Sequence, residues 1–433
     1  MTTVAWLAVA IFAIAYVLIA TEWIHRVAAA LGGAVLMLLI GATDAERAFF
    51  SEESGIEWNV IFLLLGMMLI VAILQRTGVF EFVAIWAVKR ARGRPFPVMV
   101  LLVLITAAAS AVLDNVTTVL LIAPVTFLVC ERLAVPVAPY LIAEVLASNI
   151  GGTATLVGDP PNIIIASRAG LSYNDFLIHL APIVMVLMLV FVGLCRWLFR
   201  RAFRYDPDRV KAVMALRERD AIRDTRLLIV SLVVLAAVTA AFVLHTVLHL
   251  EPSVVAIVGG LVLLAASRLD AEQVAKDVEW PTLVFFAGLF IMVGSLVNTG
   301  VIDNLANAAA DATEGRLLLA SMVLLWVSGV LSAIVDNIPY VATMSPVVAD
   351  LVRASGGADS GQVLWWSLAL GADLGGNATA VGASANVVML GIAERSGQPI
   401  SFWQFTKYGL VVAAITIAIA AIYLWLRYFI LAG

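Results

Sequence analysis

Apolar runs of about 17–25 residues recur along the chain between short charged connections, and roughly 20 helical residues cross a hydrocarbon core. The pattern predicts ten spans, at 4–20, 25–42, 57–76, 137–167, 176–199, 227–247, 252–267, 280–298, 361–392 and 404–428. The fourth and ninth are too long, and too polar at their centres, to be uninterrupted helices. Two further apolar stretches, 95–130 and 315–350, carry an Asp-Asn pair in the middle. Each is predicted as two half-helices meeting at a polar tip, a hairpin that returns to the side it entered from. Segments 79–92 and 301–313 are predicted to lie along the interface, with the Thr-Gly pairs at 77–78 and 299–300 ending the preceding spans.

The pattern is written twice. "EWNVIFLLLGMMLIVAILQRTGVFEFVA" at 57–84 returns as "EWPTLVFFAGLFIMVGSLVNTGVIDNLA" at 279–306, an offset of 222 residues. At that offset "SAVLDNVTTVLLIAPV" (110–125) returns as "SAIVDNIPYVATMSPV" (332–347). "NIGGTATLVGDPPN" (149–162) returns as "DLGGNATAVGASAN" (373–386), two residues further out of register. Duplicated hydrophobic segments broken by Gly and Pro at matching places are the signature of a secondary transporter.

Composition agrees with this reading: of 433 residues 63% are hydrophobic and 13% charged, and mean hydropathy is +1.05, whereas soluble domains are about half apolar and a quarter charged. The net charge of −4 serves topology and offers no nucleic-acid surface. Cys130 and Cys195 lie in unrelated segments, which leaves neither a disulfide framework nor a cysteine metal site. The stretch 4–20 lacks a basic leader and a small-residue cleavage site, so it reads as a retained span. Lys and Arg orient the chain. With the basic connection 196–226 placed in the cytoplasm, 21 basic residues fall inside and five outside. Both termini are then extracytoplasmic, the expected location is the inner membrane, and five crossings per repeat make the repeats inverted.

Charged groups in the apolar core are few and acidic: Asp114 and Asp336 at the hairpin tips, Asp159 and Asp373 at the broken helices, and Glu144 before the first break. No Lys or Arg accompanies them. An ionisable group at membrane depth is a functional hypothesis by default, although Asp also caps helices well. The glycines and prolines of the breaks cannot continue a helix, and unwound backbone survives at that depth only inside protein or beside a watery cavity. Freed carbonyls and hydroxyls there suit a cation, and half-helix N-termini suit an oxyanion or polar solute. The candidate substrate and ion site is Asp114, Asn115, Thr117, Thr118, Asn149, Thr153, Thr155, Asp159, Asn162, Asp336, Asn337, Asp373, Asn377, Thr379, Ser384 and Asn386. His179, His245 and His249, near span ends, read as interface or loop residues. Trp280, Trp365, Trp366 and Trp403 fit interfacial belts, and Gly32-Gly33 and Gly259-Gly260 fit close helix packing. A channel would need a continuous pore ring, and an enzyme a nucleophile–base pair or ligand cluster; the motifs supply neither.

The order of "DNVTTVLLIAP", "NIGGTATLVGDPPN", "DNIPYVATMSP" and "GGNATAVGASAN" resembles the ion transporter superfamily. Within it the wording is similar to the branch of ArsB arsenite permeases, NhaD sodium/proton antiporters and the melanosomal P protein. The resemblance implies an all-α polytopic membrane protein with two inverted repeats, 1–222 and 223–433. It also implies a dimerising scaffold (1–94 and 227–313) and a transport domain (95–199 and 314–428) that moves as an elevator. In related dicarboxylate transporters the tips carry Ser-Asn-Thr; here they read Asp114-Asn115-Val116 and Asp336-Asn337-Ile338, which adds a titratable charge. The function expected is proton-coupled efflux of arsenite, antimonite or Na⁺; the alternative is sodium- or proton-coupled transport of a carboxylate or other anion. Five carboxylates without a fixed cation favour a proton, a cation or a neutral solute over a free anion. No cofactor and no dedicated metal are expected, the coupling ion is H⁺ or Na⁺ (Na⁺ at the hairpin tips), and the expected partners are the lipid bilayer, a second copy and, for arsenite, a soluble ATPase subunit.

Overall fold

Both halves of the chain build the same run of helices, because the same breakers interrupt the same apolar segments. The computed structural model describes residues 1–431 apart from 22, 52, 204–213, 215–217, 314 and 356–357. The first half forms α1 (Thr3–Thr21), α2 (Arg26–Leu39), α3 (Ala45–Phe50), α4 (Trp58–Gln75), α5 (Val79–Arg90), α6 (Pro95–Ser110), α7 (Asn115–Leu133), α8 (Val137–Gly152), α9 (Pro160–Ala169), α10 (Tyr173–His179) and α11 (Ala181–Leu198). The second forms α12 (Thr225–Leu248), α13 (Pro252–Ser267), α14 (Ala271–Lys276), α15 (Trp280–Asn298), α16 (Val301–Ala312), α17 (Leu317–Ile334), α18 (Asn337–Ala354), α19 (Ala358–Gly375), α20 (Ser384–Arg395) and α21 (Phe402–Trp425). No strand occurs among the described residues. Seven of these helices are long and apolar enough to cross a membrane. Thr3–Ile19, Arg26–Leu39, Pro95–Ser110 and Pro252–Ser267 are shorter apolar segments.

The predicted breaks stand where the sequence puts them. Residues 153–159 separate α8 from α9, and 376–383 separate α19 from α20. Gly78 (φ 80°) and Gly300 (φ 70°) turn the chain from α4 into α5 and from α15 into α16 in the left-handed region that glycine adopts without cost. The hairpin arms differ from expectation. They run 16, 19, 18 and 18 residues in α6, α7, α17 and α18, longer than half-helices, and Asn115–Leu133 and Leu317–Ile334 each suffice to span a membrane alone. The Asp-Asn pair interrupts the helix only at the tip, and the apolar run beyond it continues unbroken.

Packing is reciprocal between the halves. Helix α4 lies on α13 and α15 lies on α2, while α9 packs against α18 and α20 against α7. Within each half, both hairpin arms pack on the long piece of the broken helix: α6 and α7 on α8, α17 and α18 on α19. Helix α8 is buried from Tyr140 through Gly152, as an all-round hydrophobic helix must be. Glycine permits these contacts at matched positions. A Cβ on Gly66 would lie 2.3 Å from the Ala256 backbone, and one on Gly288 2.9 Å from that of Ala30. One on Gly151 would meet the Ala107 carbonyl at 2.3 Å, and one on Gly375 the Gly329 carbonyl at 2.5 Å.

Two sequence expectations need correction. Trp365 and Trp366 are buried, at 4% and 0% exposure, and belong to no interfacial belt. They fall on α19, which is enclosed on all sides; Trp366 stacks on His179 at 4.9 Å and meets Phe176 edge-on at 5.2 Å. His179 thereby ties α10 to α19 and, through a hydrogen bond to the Tyr428 hydroxyl, to the end of the chain. Gly32 faces open space, whereas Gly33, Gly259 and Gly260 make the close contacts expected of them.

Forcing a methyl into a packed interface costs about 1–3 kcal/mol. Gly66→Ala and Gly151→Ala should therefore lower the unfolding temperature in detergent, while Gly32→Ala leaves it unchanged. Scanning fluorimetry of the three variants checks this.

Candidate functional site

The hairpin tips exist because an aspartate caps each second arm. Asp114 accepts hydrogen bonds from the Thr117 amide (2.8 Å) and hydroxyl (2.5 Å). Asp336 accepts from the Ile338 amide at 3.0 Å and from the Ser384 hydroxyl at 2.5 Å. Thr117 is thus a capping partner. Each break is pinned to the end of the preceding arm by a threonine: the Thr155 hydroxyl donates to the Ala111 carbonyl at 2.6 Å, and that of Thr379 to the Ala333 carbonyl at 2.5 Å.

Side-chain amides satisfy backbone that the breaks set free. Asn162 donates to the carbonyls of Thr155 (3.1 Å) and Thr153 (3.4 Å). Its repeat partner Asn386 donates to those of Gly376 (2.8 Å) and Thr379 (2.9 Å). Asn149 joins the two halves. Its Nδ2 donates to Asn377 Oδ1 at 2.9 Å and Asn386 Oδ1 at 3.0 Å, and its Oδ1 accepts from Asn115 Nδ2 at 3.2 Å. Asn115, Asn149, Asn162, Asn377 and Asn386 are all buried to 2% exposure or less.

Four aspartates gather around this network. Asp159 lies within electrostatic reach of Asp373, Asp336 and Asp114, and Asn337 Nδ2 sits 3.4 Å from both its oxygens. Asp373 is fully buried. Thr153 and Asn162 are its polar neighbours, yet neither of its oxygens has a hydrogen bond of ordinary geometry among the described residues. Asn115 Oδ1, Asn162 Oδ1 and Thr118 Oγ1 are likewise buried and unpartnered. Buried polar atoms without partners are uncommon in native proteins, and at Asp373 the carboxylate and its neighbours Asn162 and Thr153 offer oxygens to a cation. Glu144 stands apart, accepting from Thr126 Oγ1 at 2.6 Å on the α7–α8 interface.

The sequence reading missed Arg26 and took the core to lack a fixed cation. Its guanidinium donates to Ser384 Oγ at 3.0 Å and Thr282 Oγ1 at 3.2 Å, and lies 5.5 Å from the centre of the Phe285 ring. The Ser384 hydroxyl in turn donates a hydrogen bond to Asp336 Oδ2, so one hydroxyl links the arginine to the aspartate. The pair is 358 residues apart, and Arg26 has no repeat counterpart, because α13 opens on Pro252 where α2 opens on Arg26. A cavity of about 460 Å³ opens here, lined by Ile19, His25, Arg26, Phe285, Asp336 and Ser384 among others. A second, of about 330 Å³, lies at the corresponding place of the other half, between Asn59, Leu63, Ser167, His245 and Glu251, and is lined by none of the four aspartates. Beside it Glu57 pairs with Arg168 at 2.9 Å and accepts from Ser167 at 2.8 Å.

Broken helices, hairpins and a buried polar centre reached by a cavity define a multi-pass membrane transporter, not an enzyme. The chain belongs to the citrate transporter family, whose model matches residues 16–371. An uncharacterised transporter of Mycobacterium tuberculosis is 57% identical over 424 residues, covering 98% of this chain and 99% of that protein. The P protein of Homo sapiens is 33% identical over 496 residues, covering 96% of this chain and 59% of that protein. The fold is similar to that of the YdaH transporter of Alcanivorax borkumensis, with TM-score 0.61 and 14% identity over 91% of this chain and 88% of that one. It is also similar to Neisseria gonorrhoeae MtrF, with TM-score 0.58 and 12% identity over 99% and 96%.

Truncating a buried hydrogen-bonding hub costs about 1–3 kcal/mol for each group left unpaired. Asn149→Ala should lose several degrees of thermal stability and all transport. Glu144→Gln, which keeps the Thr126 hydrogen bond, should retain both. Fluorimetry with proteoliposome flux separates the two.

Proposed function

We propose that this protein is a cation-coupled secondary transporter of a small anionic solute, a carboxylate first, working by alternating access. The observation that carries the reading is the Asp373 carboxylate, fully buried with neither oxygen in a hydrogen bond of ordinary geometry among the described residues, close to Asp159, which itself lies within electrostatic reach of Asp336 and Asp114. A buried charge without a partner is strongly disfavoured; one proton or Na⁺ relieves it, and release of that ion on the far side couples the cycle. Arg26 at the mouth removes the reason for disfavouring an anion. The name of the family, citrate transporter, supports a carboxylate. Arsenite fits less well, since Cys130 and Cys195 line neither cavity and binding would rest on oxygen contacts alone; a soluble ATPase partner belongs to that reading only. A second reading, exchange of Na⁺ for protons at the same centre, is favoured by the excess of four aspartates over one arginine.

The mechanism we propose keeps the architecture expected from the sequence. The repeats are inverted across the inner membrane with both termini outside; 1–94 and 227–313 form a dimeric scaffold, and 95–199 and 314–428 move. The two cavities at corresponding places of the two halves, only one reaching an aspartate of the centre, support alternating access. The cavity at Arg26 then faces the cytoplasm, and the Glu57–Arg168 pair closes the outer mouth between scaffold and moving part.

Flux into proteoliposomes of citrate, succinate, arsenite and ²²Na⁺, with and without imposed pH and Na⁺ gradients, tests the reading. Gradient-driven carboxylate flux supports it; Na⁺ flux alone replaces it with the exchanger. Asp373→Asn should abolish gradient coupling, by at least tenfold in initial rate, while unfolding no earlier than the parent, because it neutralises an unpartnered charge. Arg168→Gln should open the outer mouth, seen as faster labelling of a Ser167→Cys probe by an impermeant maleimide; unchanged labelling would remove the pair from that role.

A further inference from the structure

Arg26 is built as a receptor for an anion. Its two guanidinium contacts go to neutral hydroxyls, Ser384 on α20 and Thr282 on α15, and no carboxylate stands within ion-pair distance of it among the described residues. Arginine carries five N–H donors in a rigid fork that matches a carboxylate, so donors remain for cargo. The Phe285 face and the two hydroxyls, from the two helices α15 and α20, hold the fork at the wall of the 460 Å³ cavity. A cavity of that size accommodates a small polycarboxylate.

The charges facing this position set a condition on binding. Asp336 lies one hydroxyl away through Ser384, and Glu279, held by Thr282 at 3.2 Å, lies within electrostatic reach of Arg26; His25 lines the same cavity. An anion arriving at Arg26 meets an ionised Asp336 as a like charge. We infer that Arg26 receives a carboxylate of the cargo, and that it does so only when Asp336 is neutralised by the coupling cation, with Ser384 as the link between them. Building on the anion reading above, this assigns the site of the cargo and adds Asp336 to Asp373 as a carboxylate whose neutralisation by a cation favours it. Coupling of two binding events is reciprocal: the cation raises anion affinity by the same factor as the anion raises cation affinity.

Citrate and succinate binding to purified full-length protein, by thermal shift and by ¹⁴C-citrate uptake in proteoliposomes over a Na⁺ and pH series, tests the inference. Arg26→Gln is expected to raise the citrate KM by ten- to a hundredfold, and Arg26→Lys, which keeps the charge but loses the fork, by less. Asp336→Asn is expected to bind citrate with an affinity that varies less with Na⁺ and pH than the parent's. Ser384→Ala keeps the guanidinium charge with its Thr282 and Phe285 contacts and should weaken that dependence, so the inference remains testable if Arg26→Gln does not fold. Citrate binding and cation dependence unchanged in Arg26→Gln and Arg26→Lys would overturn it while leaving the transport reading intact. A wild-type protein that neither binds nor moves citrate or succinate, but moves Na⁺ or arsenite, would overturn both.

Discussion

Backbone freed at two helix breaks has no water to turn to inside a bilayer, and the rest of this structure follows from how those groups are satisfied. Side-chain amides do it. Asn162 and Asn386 bind the carbonyls of their own breaks, and threonines 155 and 379 tie each break to a hairpin arm. Asn149 then crosses from one half to the other to meet Asn377 and Asn386. With these bonds made, the two breaks are joined, and Asp159 is carried within electrostatic reach of Asp114, Asp336 and Asp373. Without them the breaks would cost several unsatisfied groups each, and no centre would exist.

A duplicated scaffold supplies the geometry, and the chemistry lies where the copies differ. Asn149 of the first repeat stands where the second has Asp373; Asp159 stands opposite Ala383, and Pro160 opposite Ser384. The hydrogen-bonding amide is therefore on one side, and the unpartnered carboxylate on the other. Ser384 links Asp336 to Arg26, whereas proline at the equivalent position has no hydroxyl. Symmetric positions (Thr155 and Thr379, Asn162 and Asn386) close backbone bonds, so their presence in both copies follows from the shared break. Of the asymmetric ones Asn149 answers a structural need, by joining the halves; Asp159, Asp373 and Ser384 close no backbone bond of a break and are the better guide to function.

Most of the frame was legible in the sequence because membrane helices and their breakers are written in local composition. Duplication multiplied the signal: the Asp-Asn tips, the Gly-rich breaks and the Thr-Gly turns each occur twice. Reading failed where long-range packing decides. The arms of the hairpins outrun half-helices, since a polar pair at the tip says nothing about where the apolar run stops. Trp366 looked interfacial from its neighbours in sequence, but α19 is enclosed by both arms of its hairpin, which no local pattern reveals. Arg26 was counted only as a loop charge that orients the chain. Its partners lie 256 and 358 residues away, and because α13 opens on Pro252 at the corresponding place, the repeat that exposed the other site residues hid this one.

The two mouths hold their half-helices at different depths, and that difference measures what a transport cycle has to exchange. Glu57 and Glu279 are the same repeat position, each at the start of a long span. Glu57 is paired with Arg168 on the last turn of α9. Glu279 is bonded to Thr282, beside an arginine that reaches the first residue of α20. One contact grips the far end of a half-helix and the other the near end. The cavity at Arg26 reaches Asp336, whereas its counterpart reaches Leu156 of the first break and Ile163 of α9 and is lined by none of the four aspartates. The grip on α9 is one ion pair with side chains 14% and 13% exposed, with one serine bond beside it; the grip on α20 is two hydrogen bonds through a hydroxyl. Ion pairs at partly exposed positions contribute about 1 kcal/mol or less, because desolvation of the two charges offsets much of their attraction. Two arrangements separated by contacts of that size lie within reach of a bound cation and anion to select between, and the helices that carry the breaks need not unfold to pass from one to the other.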